Sequence, residues 1–133
     1  MRGFRSYRPL VRRSGFSLVE LLVVIAFIAV LAAIAVPHFA SATERAHDAT
    51  VKSDVRNAMS AEEEHHDEFG EYVEFAATDQ ERVSPPGYSP SAGVTVEATL
   101  IDGGVRIVGN HSAATSSWCM NSATGGILPG DEC

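Results

Sequence analysis

Basic residues are scarce through most of this chain. Its 133 residues carry ten Lys and Arg against seventeen Asp and Glu, a formal −7. Half of the ten, Arg2, Arg5, Arg8, Arg12 and Arg13, crowd ahead of Phe16, where no acidic residue stands. Without that segment the chain keeps five basic residues against seventeen acidic ones, a formal −12, which argues against nucleic-acid binding through a basic patch. Cysteine is almost absent: Cys119 and Cys133 are the two in the sequence. Neither stands in a CxxC or CxxH spacing, so zinc and thioredoxin chemistry are not indicated. The sequence holds no phosphate-binding loop, nucleophile elbow or HExxH, so no catalytic, cofactor or metal residues are assigned and no enzyme is expected.

What the chain does have is apolar length. From Phe16 to Val36 the only polar side chains are Ser17 and Glu20, and sixteen uninterrupted apolar residues, LLVVIAFIAVLAAIAV, fill positions 21–36. As a helix this stretch spans about 30 Å, the thickness of a bilayer's hydrocarbon core. Arginines before it stay on the cytoplasmic side, which sends everything after Pro37 across the membrane. A pair of cysteines behind such a segment reads as one disulfide made in an oxidising compartment. An ordinary signal peptide is the plain alternative, with Ala40-Ser41-Ala42 as cleavage site and a soluble binding domain starting at Thr43. Against it stands Glu20, because a carboxylate in an apolar span costs up to roughly 2.5–3.5 kcal/mol, less near the end. A discarded segment has no use for that cost.

The order Arg13-Ser14-Gly15-Phe16-Ser17-Leu18-Val19-Glu20, basic residues before and an apolar run behind, resembles the prepilin leader of the type IV pilins and of the related pseudopilins of type II secretion. The resemblance implies cleavage between Gly15 and Phe16 by a prepilin peptidase and N-methylation of Phe16, the apolar helix staying with the mature protein. It implies that Glu20 pairs with the α-amine of Phe16 on a neighbouring subunit in a helical homopolymer. Implied partners are therefore further copies of the chain, the prepilin peptidase and methyltransferase, the inner membrane and the assembly machinery. The subunit would wait in the inner membrane as a single-pass protein with a periplasmic C-terminus, then enter an extracellular pilus. Adhesion, twitching motility and DNA uptake are the functions such filaments serve. A pseudopilin acting in secretion is the nearer alternative.

Pro37 lacks the N–H that would bond the Ala33 carbonyl and disfavours α geometry at Val36, so a kink or local break of the helix is expected there. Beyond it Phe39, Ala42, Ala46, Ala49, Val51, Val55, Met59 and Phe69 recur mostly three or four apart, an amphipathic helix running to about Gly70. The alanine-rich part to Ala49 is read as facing the filament, and Val51 onward as covered by the C-terminal region. Tyr72 would anchor the following loop to the helix. Glu62-Glu63-Glu64-His65-His66-Asp67-Glu68 offers i,i+4 pairs but no fixed third and fourth ligands, and is read as a solvated acidic face.

Residues 76–91, with Pro85, Pro86 and Pro90, read as a loop. Val94–Ile101 alternates as a strand, Asp102-Gly103-Gly104 turns it, and Val105–Gly109 returns. A third strand is expected over Ser116–Met120, with Trp118 between sheet and helix. A Cys119–Cys133 bridge would close a loop of about fifteen residues, worth about 3 kcal/mol in the chain-entropy picture; it resembles the C-terminal disulfide loop of type IV pilins. The expected fold is thus α+β: a basic leader, 1–15; an apolar helix, 16–37; its amphipathic continuation, 38–70; and a loop with a small antiparallel sheet, 71–133.

Overall fold

The computed structural model describes residues 15–78, 82–83 and 86–133. Its element order is one helix, α1 (Leu18–Phe69), followed by five strands, β1 (Phe75–Thr78), β2 (Val94–Ile101), β3 (Gly104–His111), β4 (Trp118–Asn121) and β5 (Ile127–Pro129). The chain divides into two compact units, the first ending at Pro37 and the second running from His38 to Cys133.

In the first unit α1 is apolar all round and its side chains are exposed: Leu22, Ile25, Phe27, Ile28, Leu31 and Ile34 each leave more than half their surface uncovered. The break expected at Pro37 is absent, because α1 runs on through it. A single proline removes one N–H from the ladder, and the bonds on either side suffice to keep the helix helical. At the far end Gly70 takes a φ of 80° and its N–H reaches the His66 carbonyl at 2.7 Å, the left-handed stop that lets the chain leave the helix.

In the second unit the strands form one antiparallel sheet in the order β1-β2-β3-β4-β5. The central hairpin is fixed by its turn. Ile101 pairs with Gly104 across Asp102-Gly103, and Gly103 has a φ of 78°, as a two-residue hairpin loop demands. Alternation sets the faces: Val94, Val96, Ala98, Val105 and Ile107 turn inward and are buried, while Thr95, Glu97 and Asn110 turn outward. The inward face meets Val51, Val55, Ala58 and Met59 of α1 in one core that also takes in Phe75, Ala77 and Tyr88. Burial along the helix begins at Asp48, while Phe39 remains 75% exposed. Gly109 of β3 makes the close approach possible, since a Cβ there would stand 2.6 Å from Val55 Cγ2 and 2.9 Å from Val51 Cγ1.

Two strands lie outside the sequence reading. Phe75–Thr78, partly inside the stretch read as loop, is β1, paired with β2 from Phe75↔Ala98 to Thr78↔Thr95. Ile127–Pro129 is β5, so the sheet has five strands where three were expected. Cys119 is fully buried and bonded to Cys133, with Cα atoms 5.8 Å apart. That bond, the Gly130 N–H to the Ser117 carbonyl at 2.9 Å, and a Ser117 hydroxyl bond to Asp131 hold the C-terminal segment beside β4.

Candidate functional site

The start of α1 satisfies itself. Ser17 stands just before Leu18, and its backbone N–H donates to Glu20 Oε2 at 3.3 Å, while Leu21 N–H donates to the Ser17 carbonyl at 3.2 Å. This is the return arm of a capping box, in which the third helical residue closes the N-cap. The free N–H groups of the first turn carry partial positive charge, which favours a carboxylate there by roughly 0.3–1 kcal/mol. Glu20 thus has a use within one chain that the sequence reading assigned wholly to a neighbour. The signal was present: Ser17-Leu18-Val19-Glu20 is S-x-x-E ahead of an apolar run.

Gly15 and Phe16 precede the helix in open, exposed chain. Among the described residues, nothing beyond its chain neighbours lies within 4 Å of a Cβ built on Gly15, and Phe16 is 83% exposed. A peptide bond in that setting can enter a protease site without unwinding structure. The basic leader expected over 1–15 lies outside the described residues except for Gly15. Behind the capped end follows the apolar length of α1, whose mean hydropathy reaches 3.0 over eighteen residues. A helix with this surface is covered by lipid or by other apolar helices.

The titratable groups of the second unit act as fasteners between α1 and the loops. Asp48 accepts from the Thr115 backbone N–H at 2.9 Å, the Thr115 hydroxyl at 2.5 Å and Trp118 Nε1 at 3.3 Å. The Thr115 hydroxyl bond, more than any other contact, holds its carboxyl below the usual range. Asp54 accepts from Ser91 N–H at 2.9 Å and its hydroxyl at 3.0 Å. Glu62, read from sequence as part of a solvated acidic face, is fully buried. Its Oε2 accepts from Val73 N–H at 2.9 Å, its Oε1 has no partner, and burial pushes its pKa up. The acidic run is therefore split: Glu62 points into the fold, Glu63, Glu64, Asp67 and Glu68 point out. His66 stacks on Tyr72 at 4.3 Å between ring centres, which ties Tyr72 to the helix as expected. Among the described residues no three His, Cys, Asp or Glu side chains converge as a metal site would need. Trp118 sits half-buried at the margin of the core with Lys52 Nζ 3.6 Å above its ring, so Lys52 is engaged within its own chain.

The prokaryotic N-terminal methylation motif matches residues 10–36, the stretch from the end of the basic leader to the end of the apolar helix. The N-terminal region carries this motif, and the chain is similar to type IV pilins. The chain is similar to the type IV major pilin protein PilA of Myxococcus xanthus, 35% identical over 65 residues, which is 49% of this chain and 30% of that protein. It is also similar to the type IV wide pilus major component PilA4 of Thermus thermophilus, 45% identical over 49 residues, 37% of each chain. The matches thus span about a third of these pilins' lengths. The five-stranded sheet beside a long N-terminal helix is a pilin-like α+β arrangement.

Proposed function

We propose that this chain is a structural subunit of a type IV pilus, anchored by α1 in the inner membrane before assembly and packed through the same helix into a surface filament afterwards. The observation that carries the proposal is the juxtaposition at its N-terminus: an exposed Gly15-Phe16 bond, a capped helix start at Ser17 and Glu20, and a wholly apolar helix directly behind. Cleavage at Gly15-Phe16 by a prepilin peptidase makes an α-amine with an ordinary pKa of about 7.7–8, largely charged at neutral pH. Inside a bundle of apolar helices that cation is costly unless an anion meets it. Glu20 is the acidic residue within the span, so pairing it with the Phe16 amine of a neighbour fixes the axial register of one helix against the next. A subunit slipped along its neighbour leaves both charges unpaired.

The exposed alanines Ala40, Ala42, Ala46 and Ala49 continue this packing surface, since small side chains let helices approach closely. The sheet unit is left to form the filament's outer layer, held together by its own core and disulfide. The test is Glu20→Ala expressed in the native cell. Membrane insertion should be unchanged and the yield of sheared surface filaments should fall; a normal yield overturns the assembly role. Absence of the unaltered chain from sheared filaments, with exoprotein release depending on it, would assign it instead to a pseudopilus.

A further inference from the structure

The connection from β3 to β4, residues 112–117, carries no charged side chain, yet titratable groups fasten it to α1 at two points. One is Asp48, which accepts from Thr115. The other is a pair of histidines. His47 of α1 stacks on His111, the last residue of β3, with ring centres 4.1 Å apart and planes 16° from parallel. His111 is also tied into the turn that follows it: its Nδ1 accepts the Ala113 N–H at 3.0 Å, and its carbonyl accepts the Ala114 N–H at 3.0 Å. Gly93, at the entry to β2, leaves room for the ring, since a Cβ there would stand 2.7 Å from His111 Nε2. Ala114, carried by this turn, packs against the core.

Two of these contacts need uncharged imidazole. A ring nitrogen that accepts from a backbone N–H carries no proton, so neutral His111 holds its hydrogen on Nε2. An imidazolium has a hydrogen on both nitrogens and accepts at neither, so a proton taken up at Nδ1 sets two donors against each other where the Ala113 bond had been. Rings stacked this closely also repel once both are cations. The charged residues within one turn of His47 on α1 are Glu44, Arg45 and Asp48, and the entry to β2, residues 91–95, has none. From β4, Trp118 brings Lys52 over its ring. Asp48, held below the usual carboxylate range by Thr115, keeps its charge and its bonds near pH 6.5, where imidazoles ordinarily titrate. We propose that His47 and His111 form an acid-sensitive latch between helix and sheet, closed at neutral pH and released in mild acid, when residues 112–114 come free while Thr115 stays on Asp48. The latch lies wholly within the sheet unit, so it holds whether or not the chain polymerises.

The test is amide hydrogen exchange of the full-length chain in detergent micelles, read residue by residue by NMR at pH 7.5 and pH 5.0 and corrected for the intrinsic exchange rate. Protection of Ala113 and Ala114 should fall about tenfold in acid, the factor that loss of one hydrogen bond of ordinary net strength supplies. Val105 and Ile107 in the core should keep theirs. His111→Asn should abolish the fall, because its Oδ1 accepts the N–H two residues on, as in an Asx turn, and takes up no proton in this range. His38, His65 and His66 remain in that variant. His47→Phe keeps a ring to stack and removes one of the two cations, so the fall should shrink. Glu62 is told apart by sign, since proton uptake there favours the folded state. Equal protection at the two pH values, a fall shared equally by Val105 and Ile107, or a fall that survives in His111→Asn overturns the proposal. A His111→Asn chain already unprotected at pH 7.5 makes His47→Phe the deciding variant, and an undiminished fall there overturns it as well.

Discussion

Gly109→Ala should destabilise the sheet unit although it adds one methyl group. The new Cβ would stand 2.6 Å from Val55 Cγ2 and 2.9 Å from Val51 Cγ1. Carbon atoms settle at about 3.5–4.0 Å, so helix and sheet must separate by roughly 1 Å. Neither valine can turn aside easily, because both are fully buried and β-branched side chains are stiff at χ1. Overpacking of this kind costs about 1–3 kcal/mol, and replacing glycine in a strand returns up to about 1 kcal/mol. The net expectation is about 1–2 kcal/mol of lost stability, roughly 5–15 °C in Tm for a unit of this size. Urea unfolding of the full-length chain in micelles, followed by the fluorescence of Trp118, reports on this unit because the sequence holds one tryptophan. Val55→Ala removes the nearer of the two obstructing methyls and supplies the decisive comparison. The double variant should be more stable than the sum of the single losses predicts, by at least about 0.5 kcal/mol. Strict additivity, or an unperturbed Gly109→Ala, would refute the close-approach argument.

The buried carboxylates give two further predictions of opposite sign. Glu62 has a raised pKa, so the folded state holds its proton more tightly than the unfolded chain does; the stability this contributes is present below pH about 4.5 and lost as pH rises through the folded value. Glu62→Gln should therefore raise the urea midpoint at pH 7.5, the gain vanishing below pH 4.5, and parallel curves would contradict it. Asp48 has a lowered pKa, so its contribution is present above its ordinary 3.8 and is lost as pH falls from there through the folded value. Asp48→Asn should be less stable than the unaltered chain at neutral pH, the difference closing only in strong acid. Replacing Cys119 and Cys133 together by Ser should lower stability by about 3 kcal/mol and free the C-terminal segment, read as faster amide exchange over β5.

How far these features could be read from the sequence depended on where their determinants lie. The β2–β3 hairpin was legible because its alternation and its Asp102-Gly103 turn are local, and the end of α1 was legible in Gly70. β1 was not, because Phe75-Ala76-Ala77-Thr78 carries little strand preference of its own and becomes a strand by pairing with β2. β5 is three residues long and sits where the disulfide brings it. The burial of Glu62 was hidden for a related reason: its neighbours in sequence are acidic, and the Val73 N–H that bonds it comes from eleven residues further on, past the helix end. Pro37 shows the reverse case, a local preference too small to interrupt a helix supported on both sides. At the N-terminus nearly everything was local, and the capping role of Glu20 could have been read from Ser17 three residues before it.

The central claim is that the apolar helix stays with the mature protein and builds a filament. Intact-mass measurement of this chain, recovered from filaments sheared off the cell surface, tests it most directly. A chain beginning at N-methylated Phe16 is the predicted result. A mature form beginning at Thr43, without α1's apolar half, would contradict it.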